Sequence, residues 1–340
     1  MELDELKWTN AAQLPHLGQG WTDTENPYDR FPARAKGVIR DEVWKLSRCP
    51  SGVRLRFVTD STVIAADWTL PEDEPVGGDH MPATGKSGLD LYIKLDTGWH
   101  WAGISRIDGP GRNRKILLPD MTIPGPHEYI LYLPLYNRLE ALSIGIAPEA
   151  TFAPAEPDTP GFICFYGTSI TQGGCASRPG MAYPAILGRW LERPFINLGF
   201  SGNARMEPEI ADLLAELDPA LFVLDTLPNV PTAEVEQRAE PFIRKLRDAR
   251  PTTPIVIVEN VIYQNVAFVR SRKEEVEARN RQIRNVYQRL TDDGLTGLTY
   301  VPADDLLGHD GEATVDGTHF TDLGFLRMAD ALEPVLKPLL

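Results

Sequence analysis

The fold class this chain predicts is an all-β domain followed by an α/β domain built on a parallel sheet. Three observations predict it. Apolar residues recur with period two from about Val53 to Ile146, the spacing of half-buried strands. A stretch from Ala147 to Pro160, with four prolines among small and acidic residues, then breaks the pattern and reads as a semi-extended linker. Beyond it, short apolar runs alternate with amphipathic helical patterns, as in a parallel sheet with helices on both faces. At 340 residues the chain exceeds what one core usually holds. We therefore expect a β-sandwich or jelly-roll domain over residues 1–150 and an α/β domain over residues 161–340.

In the first domain, Val53, Leu55 and Phe57 alternate with Arg54 and Arg56, and Thr59-Asp60-Ser61 makes a turn. Leu89, Leu91, Ile93 and Leu95 alternate with Asp90, Tyr92, Lys94 and Asp96, which predicts one apolar and one polar face. Asp96-Thr97-Gly98 breaks that run ahead of Trp99-His100-Trp101. His127 to Leu133 and Leu139 to Ile146 read as two more strands, separated by Tyr136-Asn137-Arg138. Many short strands with turn signals and little helical periodicity predict a sandwich.

In the second domain the candidate strands are 162–166, 195–198, 221–224, 255–258 and 298–301. Ile210, Leu213, Leu214 and Leu217 share one helical face, as do Val235, Ala239, Phe242, Ile243 and Leu246. A long charged helix follows, with Val276, Ile283, Val286, Tyr287 and Leu290 as its apolar stripe. A last helix is expected over 322–336.

Composition excludes several classes. Apolar residues at 42% and charged residues at 24% are ordinary for a globular protein. A formal net charge of −14 repels phosphate backbones and anionic lipid, so neither nucleic acid nor membrane is an expected partner. No apolar stretch reaches the roughly 18 residues of a membrane span. The acidic N-terminus lacks the basic and apolar regions of a signal peptide, and Cys49, Cys164 and Cys175 form no C-x-x-C. A cytoplasmic location is expected, and a homo-oligomer is left open. The scattered His16, His80, His100 and His127 offer no metal-ligand spacing, so neither metal nor cofactor is expected.

The chemistry gathers at the strand ends. Phe162-Ile163-Cys164-Phe165-Tyr166 stops at Gly167-Thr168-Ser169-Ile170-Thr171-Gln172-Gly173, which puts Ser169 just past the first strand. Open α/β sheets hold reactive groups at that edge. Asp316-Gly317-Thr318-His319 supplies a carboxylate and an imidazole three residues apart. A serine hydroxyl needs a base to take its proton, and the base works best when a carboxylate fixes its tautomer. Acyl transfer also needs donors for the developing oxyanion. The second strand ends in Asn197-Leu198-Gly199-Phe200-Ser201-Gly202-Asn203, where a glycine lets backbone approach a substrate. The third ends in Asp225-Thr226-Leu227-Pro228-Asn229, which places an amide on the same edge, and the Ser169 N–H would complete three donors.

These blocks, in this order, resemble the SGNH (GDSL-type) hydrolase superfamily. The resemblance implies a three-layer α/β/α, flavodoxin-like domain with a five-stranded parallel sheet. It also implies a Ser169-His319-Asp316 triad and an oxyanion hole from Ser169, Gly202 and Asn229. Gly88-Leu89-Asp90-Leu91-Tyr92 resembles the Gly-x-Asp-Leu-Tyr signature of a branch with an N-terminal β domain, so the similarity spans most of the chain. Two departures concern substrate more than chemistry: Thr168 stands where aspartate is usual before the serine, and Leu227 and Val230 where Gly and Asp are common.

The expected function is hydrolysis of a small-acyl ester, most plausibly an acetyl ester of a carbohydrate. An acyltransferase with the same acyl-enzyme is the near alternative. A hydroxyl-rich phosphate loop of a flavodoxin-like protein, or a sugar-binding module with an idle hydrolase domain, are the distant ones. His309 is the rival base, and Trp99, His100 and Trp101 the candidate sugar platform. Arg178, Arg205 and Glu207 are candidate substrate contacts.

Overall fold

The computed structural model of the protein describes residues 2–155 and 161–340. They fall into two compact units whose segments interleave along the chain. The first takes residues 2–33, 47–155 and 175–180, and the second takes 34–46, 161–174 and 181–340. The end of the expected linker, 156–160, lies outside the described residues.

The first unit is built from ten strands: β1 (Lys7–Asn10), β2 (His16–Leu17), β3 (Arg54–Thr59), β4 (Ile64–Leu70), β5 (Asp90–Leu95), β6 (Gly98–Ile104), β7 (Gly111–Leu118), β8 (His127–Tyr132), β9 (Ala141–Ile146) and β10 (Phe152–Pro154). One sheet runs β1-β9-β4-β7 and the other β10-β3-β8-β5-β6, with β2 also on β3; all pairs are antiparallel. Leu55 and Phe57 of β3, Trp68 of β4, Leu91 of β5, Leu131 of β8 and Ile144 of β9 share one core, so the two sheets face each other.

Two expectations need correction here. The stretch expected to be a semi-extended linker also contributes a strand, because Phe152–Pro154 pairs with β3 and Phe152 stacks on Phe57. Pro154 is tolerated because β10 lies at a sheet edge, where a missing N–H breaks no inner ladder. The polar face expected on β5 is also not a solvent face. Asp90 and Tyr92 are 0% and 4% exposed, covered by the excursion 175–180 described below. The helix α1 (Asp41–Ser47) and the single turn α2 (Ala83–Lys86) had no counterpart in the sequence reading.

The second unit carries β11 (Ile163–Gly167), β12 (Phe195–Gly199), β13 (Leu221–Asp225), β14 (Ile255–Val258) and β15 (Leu298–Val301), all parallel, in the order β12-β11-β13-β14-β15. Every residue of β11 to β14 is buried, the signature of strands covered on both faces. The helices are α3 (Ser169–Gln172), α4 (Tyr183–Trp190), α5 (Pro208–Glu216), α6 (Val235–Ala249), α7 (Arg270–Asp292) and α8 (Asp322–Leu336). α4 packs with α8, while α5 packs with α6 and α6 with α7. Right-handed crossovers place these two groups on opposite faces, which gives three layers.

The strand order reverses at β11, whose neighbours β12 and β13 lie on its two sides. Ligand crevices of open α/β sheets form at the carboxyl ends of such strands. Gly167 ends β11 level with Gly199 and Asp225. A Cβ at Gly167 would lie 2.0 Å from the Thr171 Oγ1, and one at Gly199 would lie 2.1 Å from the Gln172 backbone nitrogen. The two bare glycines let α3 sit directly on the sheet edge.

Candidate active site

Ser169 is the first residue of α3, and the turn around it is closed at both ends. Thr168 caps α3, its hydroxyl accepting from the Ile170 N–H. Gly173 ends it at φ 104°, and the Gly174 N–H bonds back to the Ser169 carbonyl at 2.7 Å. Ser169, two positions past the end of β11, therefore has little freedom and is 6% exposed.

The chain brings His319 to it from 150 positions downstream. The His319 Nε2 lies 3.0 Å from the Ser169 Oγ, and the Nδ1 lies 2.7 Å from an Asp316 carboxylate oxygen. With its proton on Nδ1, the ring donates to Asp316 and accepts from the serine hydroxyl. The second Asp316 oxygen accepts from the backbone N–H groups of Thr318 and His319, at 2.9 and 2.8 Å. This is an Asx turn that makes the spacing of carboxylate and imidazole a local property of four residues. Gly317 supplies its left-handed residue at φ 82°. The Val315 N–H donates to the His319 carbonyl at 2.8 Å and so pins the base of the turn. Burial works to raise the Asp316 carboxyl, but the bonds from the His319 ring and backbone outweigh it and hold it below the ordinary carboxylate value. At neutral pH Asp316 is an anion.

Two of the three expected oxyanion donors, Gly202 and Asn229, sit on the loops that follow β12 and β13. Gly202 adopts φ 70°, and the Asn203 N–H closes the turn onto the Phe200 carbonyl at 2.9 Å. Asn229 lies in a single turn after β13, and its Oδ1 accepts from the Ala204 N–H at 3.3 Å. That bond fixes which end of the amide faces the backbone and leaves the NH₂ end as the donor.

Sequence reasoning missed what shapes the Gly202 loop. Arg40, which belongs to the second unit, donates to the Asn203 Oδ1 at 2.6 Å, to the Asn203 carbonyl at 2.9 Å and to the Glu207 carboxylate at 2.7 Å. One guanidinium thus ties both ends of the loop, a use of its fixed fork of donors. Nothing in the spacing of residues 40, 203 and 207 could have revealed it. Glu207, a candidate substrate contact, bonds Arg40 through its Oε1.

A second polar cluster lies under α3. The Asp225 Oδ2 accepts from the Thr171 hydroxyl at 2.9 Å and from the Tyr183 hydroxyl at 3.1 Å. The Asn197 amide donates to the Thr171 carbonyl at 2.7 Å and accepts from the Gly199 N–H at 2.9 Å. Asp225 is 1% exposed, and burial pushes its carboxyl up to about 7.

The remaining candidates fall elsewhere. His309 is exposed and pairs with Asp305, so it is not brought to Ser169 as the rival base would require. Arg205 donates to the Gly202 carbonyl at 3.3 Å. Trp101 is 51% exposed and donates to Asp90, while Trp99 lies under the Lys94 ammonium and His100 bonds Thr97. Arg178 bonds Asp90 and Tyr92 within the first unit. Cys175 is buried. Among the described residues no helix is long and apolar enough to cross a membrane.

Comparison with known proteins agrees with this architecture. Residues 161–337 match the GDSL-like lipase/acylhydrolase family, and residues 6–152 match the N-terminus of SGNH-hydrolase-type esterases. The fold is similar to that of a Bacteroides ovatus protein described as a GDSL-like lipase, with a TM-score of 0.93, 36% identity and 98% of each chain covered. It is also similar to the salicylyl-acyltransferase SsfX3 from a tetracycline biosynthetic pathway, with a TM-score of 0.77, 18% identity and 98% of each chain covered. A third likeness is to an acetyl xylan esterase from the rumen bacterium Butyrivibrio proteoclasticus. Its TM-score is 0.59 at 12% identity, over 98% of this chain and 99% of that one. The last two likenesses are of fold alone. No curated protein gives a significant match.

Proposed function

Since the chain belongs to the GDSL-like lipase/acylhydrolase family, we propose that it is a serine esterase acting on small-acyl carboxylic esters through Ser169, His319 and Asp316. The observation that carries this reading is the unbroken hydrogen-bonded series from the Ser169 hydroxyl through the His319 ring to the Asp316 carboxylate.

The reaction follows from that series. The His319 Nε2 takes the hydroxyl proton as the Ser169 Oγ attacks the acyl carbon, and Asp316 stabilises the imidazolium that forms. Negative charge gathers on the former carbonyl oxygen, where the N–H groups of Ser169 and Gly202 and the Asn229 amide serve as donors. Collapse expels the alcohol, which receives the proton from His319. Water then attacks the acyl-enzyme with His319 again as base, and the acid leaves.

An acetyl group on a carbohydrate is the substrate we favour. The support is by analogy: carbohydrate esterases share the fold, including the acetyl xylan esterase above. A neutral ester also suits a chain of net charge −14. A second reading, acyl transfer to an acceptor alcohol, is favoured by the full-length fold likeness to a salicylyl-acyltransferase.

Replacing Ser169 by alanine is expected to abolish turnover of p-nitrophenyl acetate while the circular dichroism spectrum stays unchanged. Retained turnover in a folded Ser169→Ala protein would remove the nucleophile assignment. Adding an alcohol acceptor and measuring acid against transferred ester separates hydrolase from transferase.

A further inference from the structure

The Gly-x-Asp-Leu-Tyr signature has no place in the chemistry above, and its side chains explain why the chain has it. Leu89 and Leu91 point into the sandwich core, both 0% exposed. Gly88 is bare because a Cβ there would lie 2.3 Å from the Thr84 carbonyl oxygen. Asp90 and Tyr92, two residues apart, share the opposite face of β5.

That face holds residues 175–180, the short stretch of the first unit that begins six residues after Ser169. The Asp90 Oδ2 accepts from the Arg178 guanidinium at 2.9 Å and from the Gly180 N–H at 2.8 Å, and its Oδ1 accepts from the Trp101 indole at 3.0 Å. Arg178 also donates to the Tyr92 hydroxyl, and its guanidinium lies over the Tyr92 and Trp101 rings at 5.3 and 5.5 Å. Around α2, the Thr84 hydroxyl donates to the Ser177 carbonyl at 2.7 Å, and a Cβ at Gly85 would lie 2.0 Å from the Ala176 carbonyl oxygen. A Cβ at Gly180 would lie 2.5 Å from the Tyr92 ring.

Such a set of contacts is built to hold one backbone path. Cys175 enters it at φ 73°, a conformation costly for a residue with a Cβ that persists where its surroundings over-determine it. A buried carboxylate is stable only when well bonded, and this one accepts from Trp101, Arg178 and Gly180.

We infer that Asp90 is a positioning residue for the nucleophile: by clamping Arg178 and Gly180 it anchors the chain that leaves the Ser169 turn. The inference rests on the esterase reading of Ser169. It acts through the backbone, since the Gly174–Cys175 peptide bond joins the clamped stretch to the turn whose Gly174 N–H bonds the Ser169 carbonyl. Displacing a reacting atom by about 1 Å costs on the order of 10²-fold in rate.

The test is turnover of p-nitrophenyl acetate per Ser169 titrated with a fluorophosphonate. Asp90→Asn keeps the shape and the bond from Trp101 but removes the charge that holds Arg178. It is expected to lower kcat by about 10–10²-fold with KM changed less than about twofold. Arg178→Gln is expected to do the same, and the double variant to be no worse than the poorer single one. Tyr92→Phe and Arg178→Lys, which keep Asp90 intact, carry the test if Asp90→Asn does not fold. Both are expected to lower kcat with KM held. Unchanged turnover per titrated serine in the folded variants overturns the inference, and so do losses that add in the double variant. A wild-type protein that the fluorophosphonate leaves unlabelled would instead remove the esterase reading.

Discussion

The Asn229 Oδ1 accepts from the Ala204 N–H, and that bond orients the rest of the amide as a donor. If the amide stabilises an oxyanion, Asn229→Ala lowers kcat by about 10²–10³-fold with KM little changed. Steady-state kinetics on p-nitrophenyl acetate check this, and an unchanged kcat excludes the role. That Ser169, His319 and Asp316 meet was legible in the sequence, because each was expected at the same edge of the parallel sheet and the structure brings them within hydrogen-bond distance. Arg40 was not. Its partners Asn203 and Glu207 lie more than 160 positions away, and an arginine on its own is ordinary. Asp90 and Tyr92 were read as an outward polar face because alternation reports which side of a strand a residue is on. It does not report what covers that side.

Helix α3 is short, and a helix of one turn is not stable by itself. Its position depends on the bonds beneath it, chiefly the Thr171 hydroxyl donating to Asp225 and the Asn197 amide donating to the Thr171 carbonyl. Asp225 has its carboxyl raised to about 7, against an ordinary value near 3.8. Between those values the folded protein keeps a proton that the unfolded chain has lost. Asp225 therefore contributes stability below about pH 4 that is lost as pH rises through about 7. Asp225→Asn, which keeps acceptors for Thr171 and Tyr183, is expected to flatten the fall in melting temperature from pH 5 to pH 8. Equal slopes in both proteins would show that Asp225 does not titrate there. At this scale the strands of the parallel sheet were readable, since strands buried on both faces are continuous apolar runs. β10 was hidden by its composition: Ala153 and Pro154 look like linker, and pairing with β3 almost a hundred residues earlier leaves no local trace.

A net charge of −14 sets the long-range field of the whole molecule. Exposed charges are screened beyond about 10 Å at moderate ionic strength, so their effect on an approaching substrate depends on salt. For a neutral ester, kcat/KM is expected to change less than about twofold from low to high salt. For an ester carrying a carboxylate it should rise as repulsion is screened. A fall with salt for the anionic ester would point to a local cationic site that overrides the global field. The order of the two domains was legible from the change of periodicity at the proline-rich stretch. That stretch gave no sign of the excursions at 34–46 and 175–180, because each is short and nothing in its composition marks which core it joins.

Those excursions bear on how such a protein could have been assembled, and on how it could be taken apart. Residues 161–340 expressed alone would lack Arg40, leaving Glu207, 8% exposed, without its cation and the Gly202 loop without its tie. Residues 1–155 expressed alone would leave the Asp90 carboxylate without the donors it takes from Arg178 and Gly180. Shuffling a new β module onto this hydrolase is therefore not a matter of cutting at the prolines. A functional graft has to bring along both threads that cross between the two halves.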